Sequence, residues 1–142
     1  MMRPVALPAH SRLGLPSRLV LATEIGVACT RSRRALARDT LPEALAAIRR
    51  EHIVPEPPGD LLRDGLRLGR AVRLTLRLLP GDTRCLVSSL VLARLLARRG
   101  IPFALVIGVD TEGEFEAHAW IEHAGWALLP DLAPRYRRLA AF

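Results

Sequence analysis

Cys85 and His118 are the two side chains whose types and spacing could together support nucleophilic catalysis. Cys85 opens the run CLVSSLVLARLLARRG, which predicts a buried helix, and His118 lies 33 residues further along, inside the predicted strand FEAHAWIEH. A thiol attacks as its thiolate, and the unpaired N–H groups and dipole of a helix's first turn favour that negative charge. A histidine within reach would act as the base, so this pair indicates a cysteine enzyme.

Two carboxylates compete to orient the second nitrogen of the histidine, which a base of this kind requires. Asp131 ends the next predicted strand, beyond the turn at AG, and is the natural acceptor for His118. Glu122 is the competitor, because strand geometry puts it on the same face as His118 and Trp120; we expect it at an exposed edge. His123 points away from His118, so a shared metal ion is not expected. Spacing alone leaves open a packing cysteine and a structural histidine.

The elements that must position these residues are helices first and short strands afterwards. Helical periodicity predicts a first helix from Ser17 to about Arg38, a second in DTLPEALAAIRREH, a third in LLRDGLRLGRAVRLTLRLLP and a fourth from Cys85 to Gly100. The runs FALVIGV, FEAHAWIEH and WALLPD predict an antiparallel meander. This order predicts an α+β fold in which the helix carrying the cysteine packs on an antiparallel sheet.

Local signals sharpen several of these expectations. Asp39 or Thr40 caps the second helix, which has Pro42 and Glu43 in its first turn, and Asp82 or Thr83 caps the fourth. Gly65 and Gly69 weaken the third helix. Cys29 lies on the apolar face of the first helix and is expected in the core, while residues 1–16 are expected to form an extended arm.

Composition limits the classes of function. The 142 residues suit one globular domain, and the net charge is +7 with every one of the 21 basic residues an arginine. Such a balance favours an acidic partner, but the absence of lysine is typical of codon bias, and no nucleic-acid-binding motif is present. Two cysteines without paired spacing predict reduced thiols and a cytoplasmic location. Glu24 interrupts the only export-like run, and no segment predicts a membrane span.

The stretch RCLVSSLVLARLLARRGIPFALVIGV, followed by FEAHAWIEHAGWALL, closely resembles the leader peptidases of lasso-peptide biosynthesis, the peptidase half of the B protein. These belong to the transglutaminase-like, papain-related cysteine enzymes. The resemblance runs from about Leu61 to the C-terminus and is strongest over residues 84–125. Its specific marks are the Arg-Cys-Leu start, the RRGIP helix end, the VIGV strand and the HAW-x-E strand.

The resemblance implies a cysteine protease that removes the leader from a ribosomally made precursor, before a separate ATP-dependent cyclase closes the macrolactam. It makes Cys85 the nucleophile, His118 the base and Asp131 the orienting acid, with no cofactor and no metal. Asp131 follows Pro130 and comes slightly later than the family pattern places its acidic residue.

The division of the chain also follows from the resemblance. Residues 61–142 are expected to form the transglutaminase-like peptidase core, and residues 1–60 an arm and helices packed on it. Some relatives carry a fused, winged-helix-like leader-recognition unit, whereas residues 1–60 lack the strands it requires. We therefore expect the split form, in which leader recognition belongs to a separate protein. The expected partners are the precursor's leader, that leader-recognition protein and the cyclase; neither nucleic acid nor a membrane is expected.

Two other functions remain open at the level of the sequence. The first is another acyl-transfer enzyme on the same scaffold, such as a transglutaminase-like amide transferase, which differs only in using an amine in place of water. The second is a non-catalytic, arginine-rich binding module. The reactivity of Cys85 toward alkylating reagents would separate the enzymes from the binding module, since a catalytic thiolate reacts faster than a packing thiol.

Overall fold

The structure is a computed structural model that describes residues 15–51, 59–79, 85–110, 112–113, 116–128 and 136–142. The helices are α1 (Leu15–Arg38), α2 (Leu41–Arg49), α3 (Leu61–Leu76) and α4 (Cys85–Arg98). The strands are β1 (Ala104–Asp110), β2 (Glu116–His123), β3 (Trp126–Ala127) and β4 (Tyr136–Ala141). The predicted arm lies almost wholly outside the described residues, and so do Asp82 and Thr83, the predicted caps of α4.

The four strands form one antiparallel sheet in the order β3-β2-β1-β4. This confirms the α+β prediction. The tight turn between β2 and β3 is also confirmed, because Ala124 and Gly125 both have positive φ values, 49° and 80°, as a two-residue hairpin turn requires. Two features differ from the prediction: β3 is shorter than the run WALLPD, and β4 was not predicted at all.

Helix α4 lies at the centre of the molecule, since α1, α2, α3 and β2 all pack against it. All residues from Val87 to Ala97 except Ser88 are buried, so α4 has almost no solvent-exposed face after its first turn. The core around it includes Ile25 and Cys29 from α1 and Ile48 from α2. The prediction that Cys29 packs in the core is therefore confirmed.

Polar contacts also fix the N-terminal helices to α4. The buried Arg94 donates from Nε to Ser32 Oγ at 3.2 Å and pairs with Glu51. Burial lowers the pKa of Arg94, and the neighbouring carboxylate of Glu51 opposes that shift. At the end of α4, Arg99 makes a two-pronged contact with Glu24 at 3.0 and 2.8 Å. These bonds set the orientation of α4 against α1.

Two predicted helix boundaries follow directly from local chemistry. The backbone N–H of Thr40 donates to Glu43 at 2.8 Å, which completes the capping box predicted for α2. Gly100 has a φ of 67°, and the next N–H, of Ile101, donates back to Leu96 at 3.0 Å, which closes the end of α4. Chain reversal at Gly100 then starts β1, the strand on which the rest of the sheet is built.

The two glycines of α3 form a notch for the fully buried Leu128. A Cβ at Gly69 would stand 1.9 Å from the carbonyl oxygen of Leu128, and one at Gly65 would stand 3.0 Å from its Cδ1. The glycines that weaken α3 as an isolated helix therefore allow the backbone after β3 to approach it. Leu128 keeps one bond to the sheet, from its N–H to the carbonyl oxygen of Ile121 at 2.9 Å, while its side chain and its carbonyl oxygen lie against the glycines of α3.

Candidate active site

Cys85 is the first residue of α4, and its side chain is half-buried. The first turn of the helix holds no acidic residue, so nothing within that turn opposes a thiolate. The N–H groups of that turn have no intrahelical partner and carry the positive end of the helix dipole. The predicted position of Cys85 at a helix start is confirmed, in contrast to Cys29, which is sealed in the core.

His118 lies on β2, half-buried, on the sheet face that points away from the helical core. Its ring stacks with that of Trp120 at a centroid distance of 6.1 Å and an angle of 25°, which confirms that the two share a face. The opposite face carries Ile121, which belongs to the core formed with α4. His123 turns its Nδ1 to the carbonyl oxygen of Pro102, 2.6 Å away.

One buried hydrogen bond joins the start of α4 to the strand that carries His118. Ser89 Oγ donates to the carbonyl oxygen of Ala119 at 3.1 Å. Ser89 lies four residues after Cys85, so the two occupy the same helix face about one turn, or roughly 6 Å, apart. Ala119 directly follows His118. The first turns of α4 therefore run beside β2, the strand that carries His118, as the sequence predicted.

Tyr136, which the sequence analysis did not single out, contacts His118 from the other side. The two ring centroids are 4.9 Å apart with an angle of 26° between the planes. Asp110 of β1 pairs with both Glu116 and Tyr136, so Tyr136 lies level with Glu116, on the side of His118 away from Trp120. The imidazole is thus held between two aromatic rings, which we call the His118 clamp.

The space for the clamp is provided by Gly108, which lies opposite His118 on β1. A Cβ at this glycine would stand 2.7 Å from the ring of Trp120 and 3.0 Å from the carbonyl oxygen of Arg137. Because neither an indole packed in place nor a strand carbonyl can retreat easily, only glycine fits here. The VIGV motif therefore contains a residue required by the site rather than by the strand.

Glu122 has a different environment from the exposed edge that the sequence predicted. Its side chain is only 14% exposed, because its carboxylate accepts a 2.8 Å hydrogen bond from Trp120 Nε1 and pairs with Arg138 on β4. Both oxygens are thereby engaged away from the imidazole of His118. Glu122 anchors one ring of the clamp. Asp131, the other predicted orienting acid, lies outside the described residues.

Other kinds of site find no support in the described part of the chain. No three histidine, cysteine, aspartate or glutamate side chains in it come together as a metal site would require. None of its helices combines the length and apolar character needed to cross a bilayer.

These features define a class of protein: an α+β fold whose central helix opens with a cysteine and packs beside a strand bearing a histidine. The family model of the transglutaminase-like superfamily matches residues 5–141, nearly the whole chain. The protein belongs to that superfamily, whose members are typically cysteine peptidases or transferases. Neither the curated proteins nor the solved structures include a match to this sequence.

Proposed function

We propose that this protein is a cysteine peptidase that removes the leader from a lasso-peptide precursor before a separate cyclase acts. The observation that carries the proposal is the Ser89–Ala119 hydrogen bond, because it sets the helix start of Cys85 beside the strand of His118. The superfamily membership supports acyl chemistry at this thiol, and the RCL, RRGIP and HAW-x-E motifs support the leader-peptidase specificity.

In this mechanism His118 takes the proton of the Cys85 thiol, and the thiolate attacks the carbonyl carbon at the junction of leader and core. The peptide C–N bond breaks, the leader remains on sulfur as a thioester, and the core amine leaves with the proton returned by His118. Water then gives a proton to His118 and attacks the thioester, which releases the leader acid and restores the thiol. Asp131 keeps the imidazole in the required tautomer.

The oxyanion of each tetrahedral intermediate would form next to the start of α4. The backbone N–H of Cys85 can donate to it, because a first-turn N–H has no partner within the helix. The positive end of the helix dipole favours the same charge. The helix start thus supports both the thiolate and the oxyanion.

The test is cleavage of the synthetic precursor by the purified chain, followed by mass spectrometry. We expect free leader acid and free core peptide, formed slowly by the chain alone and faster when a separate leader-recognition protein is added. A product in which the leader is joined to an added amine would favour the transferase alternative. An intact precursor under both conditions would contradict the peptidase, and labelling of Cys85 as slow as that of Cys29 would favour the binding module.

Single substitutions of the two candidate acids, Asp131 and Glu122, should separate their roles. Asp131→Asn is expected to lower kcat by about two to four orders of magnitude, since the imidazole then loses its orienting carboxylate. Glu122→Gln keeps a hydrogen-bond acceptor for Trp120 and should cost less than tenfold. The measurement is the rate of precursor cleavage by each variant. A silent Asp131→Asn together with a damaging Glu122→Gln would move the orienting role to Glu122.

We expect Tyr136 to support cleavage through the stacking of its ring on His118. Tyr136→Leu removes the stack on His118 and is expected to lower kcat/KM about tenfold, because an aromatic pair contributes roughly 0.5–1.5 kcal/mol. Tyr136→Phe keeps the ring and loses the long, 3.4 Å bond from the hydroxyl to Glu116, so it should stay within about threefold of the wild type. Equal losses in both variants would contradict a role for the ring itself.

A further inference from the structure

Helix α3 presents a row of basic and apolar side chains to the solvent, here called the α3 stripe. The stripe consists of six exposed residues: Arg63, Leu66, Arg67, Arg70, Leu74 and Arg77. At 100° per residue these side chains fall within an arc of about 100°, and at 1.5 Å per residue they extend over about 21 Å. The stripe is one continuous, elongated surface.

The opposite side of α3 is fully used by the fold. Leu68, Val72 and Leu76 belong to the core, and Gly65 and Gly69 receive Leu128. The helix therefore cannot rotate to bury the leucines of the stripe. Leu66 and Leu74 remain 44% and 54% exposed. Their exposure is a fixed property of this surface.

In the part of the chain that the structure describes, no carboxylate forms an ion pair with a guanidinium group of the stripe. The guanidinium groups of Arg63, Arg67, Arg70 and Arg77 form no ion pair or hydrogen bond with another described residue; Asp60 accepts from the backbone N–H of Arg63, at 3.2 Å. The arginines of α4 differ, since Arg94 pairs with Glu51 and Arg98 lies 3.8 Å from Glu24. Spacings of three and four residues bring the like charges of the stripe together, and a bound anion would relieve their repulsion.

We infer that the α3 stripe is the docking surface for an acidic protein partner whose carboxylates match the arginines and whose apolar side chains contact Leu66 and Leu74. Arginine is enriched at protein interfaces because its planar fork binds carboxylates in pairs. The leucines favour a protein over a nucleic acid, which would offer phosphates and no apolar contact along such a row. A bilayer is disfavoured because the continuous apolar face of α3 is already buried in the core.

The inference deepens the proposed function and rests on it in one respect: the partner is taken to be the protein that delivers the leader. Helix α3 packs against α4, which begins with Cys85. A partner bound to the stripe would be held on the same rigid unit as the nucleophile, which raises the effective concentration of any leader that it carries.

The test uses a fluorescent helical peptide of about 20 residues, long enough to cover the stripe, with glutamates and leucines at matching spacing. Its anisotropy is followed with the wild type and with the stripe variant Arg63→Gln/Arg67→Gln/Arg70→Gln. The control variant, Arg31→Gln/Arg34→Gln/Arg38→Gln, removes the same three charges from exposed positions of α1. Circular dichroism checks that both variants are folded.

We expect the stripe variant to weaken binding about tenfold, since each exposed pair contributes roughly a factor of two to three, and the control to weaken it less than twofold. Leu66→Ser/Leu74→Ser should also weaken binding. Equal losses in both charge variants would overturn the inference, because net charge alone would then explain the affinity. Tighter, stripe-dependent binding to phosphatidylglycerol vesicles or to duplex DNA would overturn it as well.

The assay separates this inference from the proposed function, because the anisotropy measurement is repeated in a Cys85→Ala background, which has no nucleophile. Stripe-dependent binding of the peptide without any cleavage of precursor by the wild type would refute the peptidase and leave the docking surface intact. Cleavage that accelerates with the leader-recognition protein equally in the wild type and the stripe variant would refute the docking surface alone.

Discussion

Cys85→Ala is expected to reduce precursor cleavage by about four orders of magnitude or more, to the level of the uncatalysed reaction in the assay. Without the sulfur there is no thioester, and the one other thiol of the sequence, Cys29, is buried in the core. The variant should fold normally, since Cys85 is half-buried at a helix start and its replacement leaves the core of α4 intact. The measurement is single-turnover cleavage followed by mass spectrometry.

His118→Ala should have an effect of similar size, because a nucleophile and its base act as one unit and their losses do not add. The double variant should therefore be no slower than either single one. Two matched controls are available in the chain. Cys29→Ala removes the other thiol, which is buried in the core, and His123→Ala removes a histidine on the other sheet face. Both controls should keep nearly full activity per folded molecule.

Wild-type cleavage by Cys85→Ala would exclude the peptidase mechanism at this residue. Loss of activity in Cys29→Ala to the same extent would point instead to a structural requirement for thiols. Rapid alkylation of Cys85 in the wild type, slowed in His118→Ala, is a second readout of the same pair, because the thiolate rather than the thiol reacts.

The parts of this site that depend on local chemistry could be predicted from the sequence. The capping box at Thr40, the chain reversal at Gly100 and the position of Cys85 at a helix start each follow from residues within one turn of each other. The shared face of His118 and Trp120 follows from the period of two along a strand. Local rules suffice wherever the partners are close in sequence.

The contacts that hold the histidine could not be predicted in the same way. Tyr136 and Arg138 reach the site only because β4 pairs with β1, a strand that ended some 25 residues earlier, and the run YRRLAA has no clear alternation of apolar and polar residues. Without that pairing, the sequence shows no cation beside Glu122, so this acid stands as a candidate to orient the histidine. The register of a non-local strand decides its partner, and a single sequence does not specify that register.

The glycines of α3 illustrate a related difficulty, since the sequence marks them as weak points of a helix. Gly108 is similar, because nothing in VIGV indicates that an indole ring will lie over it. Each of these glycines is explained by a neighbour distant in the chain. A glycine that lowers helix or strand propensity is therefore better regarded as a position at which another group approaches the backbone.

Gly69→Ala is expected to be the most destabilising of the conservative changes available in α3. Its Cβ would stand 1.9 Å from the carbonyl oxygen of Leu128, a backbone atom that cannot rotate away, so either α3 or the segment after β3 must move. We expect a loss of about 3 kcal/mol in the free energy of unfolding, at the upper end for overpacking, and a fall in Tm of roughly 10 °C. Thermal unfolding followed by circular dichroism measures both.

Two further glycines give a graded control for this result. Gly65→Ala meets only the flexible end of the Leu128 side chain, at 3.0 Å, and should cost about 1 kcal/mol or less. Gly26→Ala in α1 meets nothing within 4 Å and should stabilise the protein by about 0.5–1 kcal/mol through helix propensity. Equal stability of Gly69→Ala and Gly26→Ala would show that Leu128 does not approach α3 in solution. Leu128 precedes Asp131 by three residues, so a shift of Leu128 would also displace the acid of the proposed triad. Gly69→Ala should therefore lower the cleavage rate per folded molecule, whereas Gly26→Ala should not.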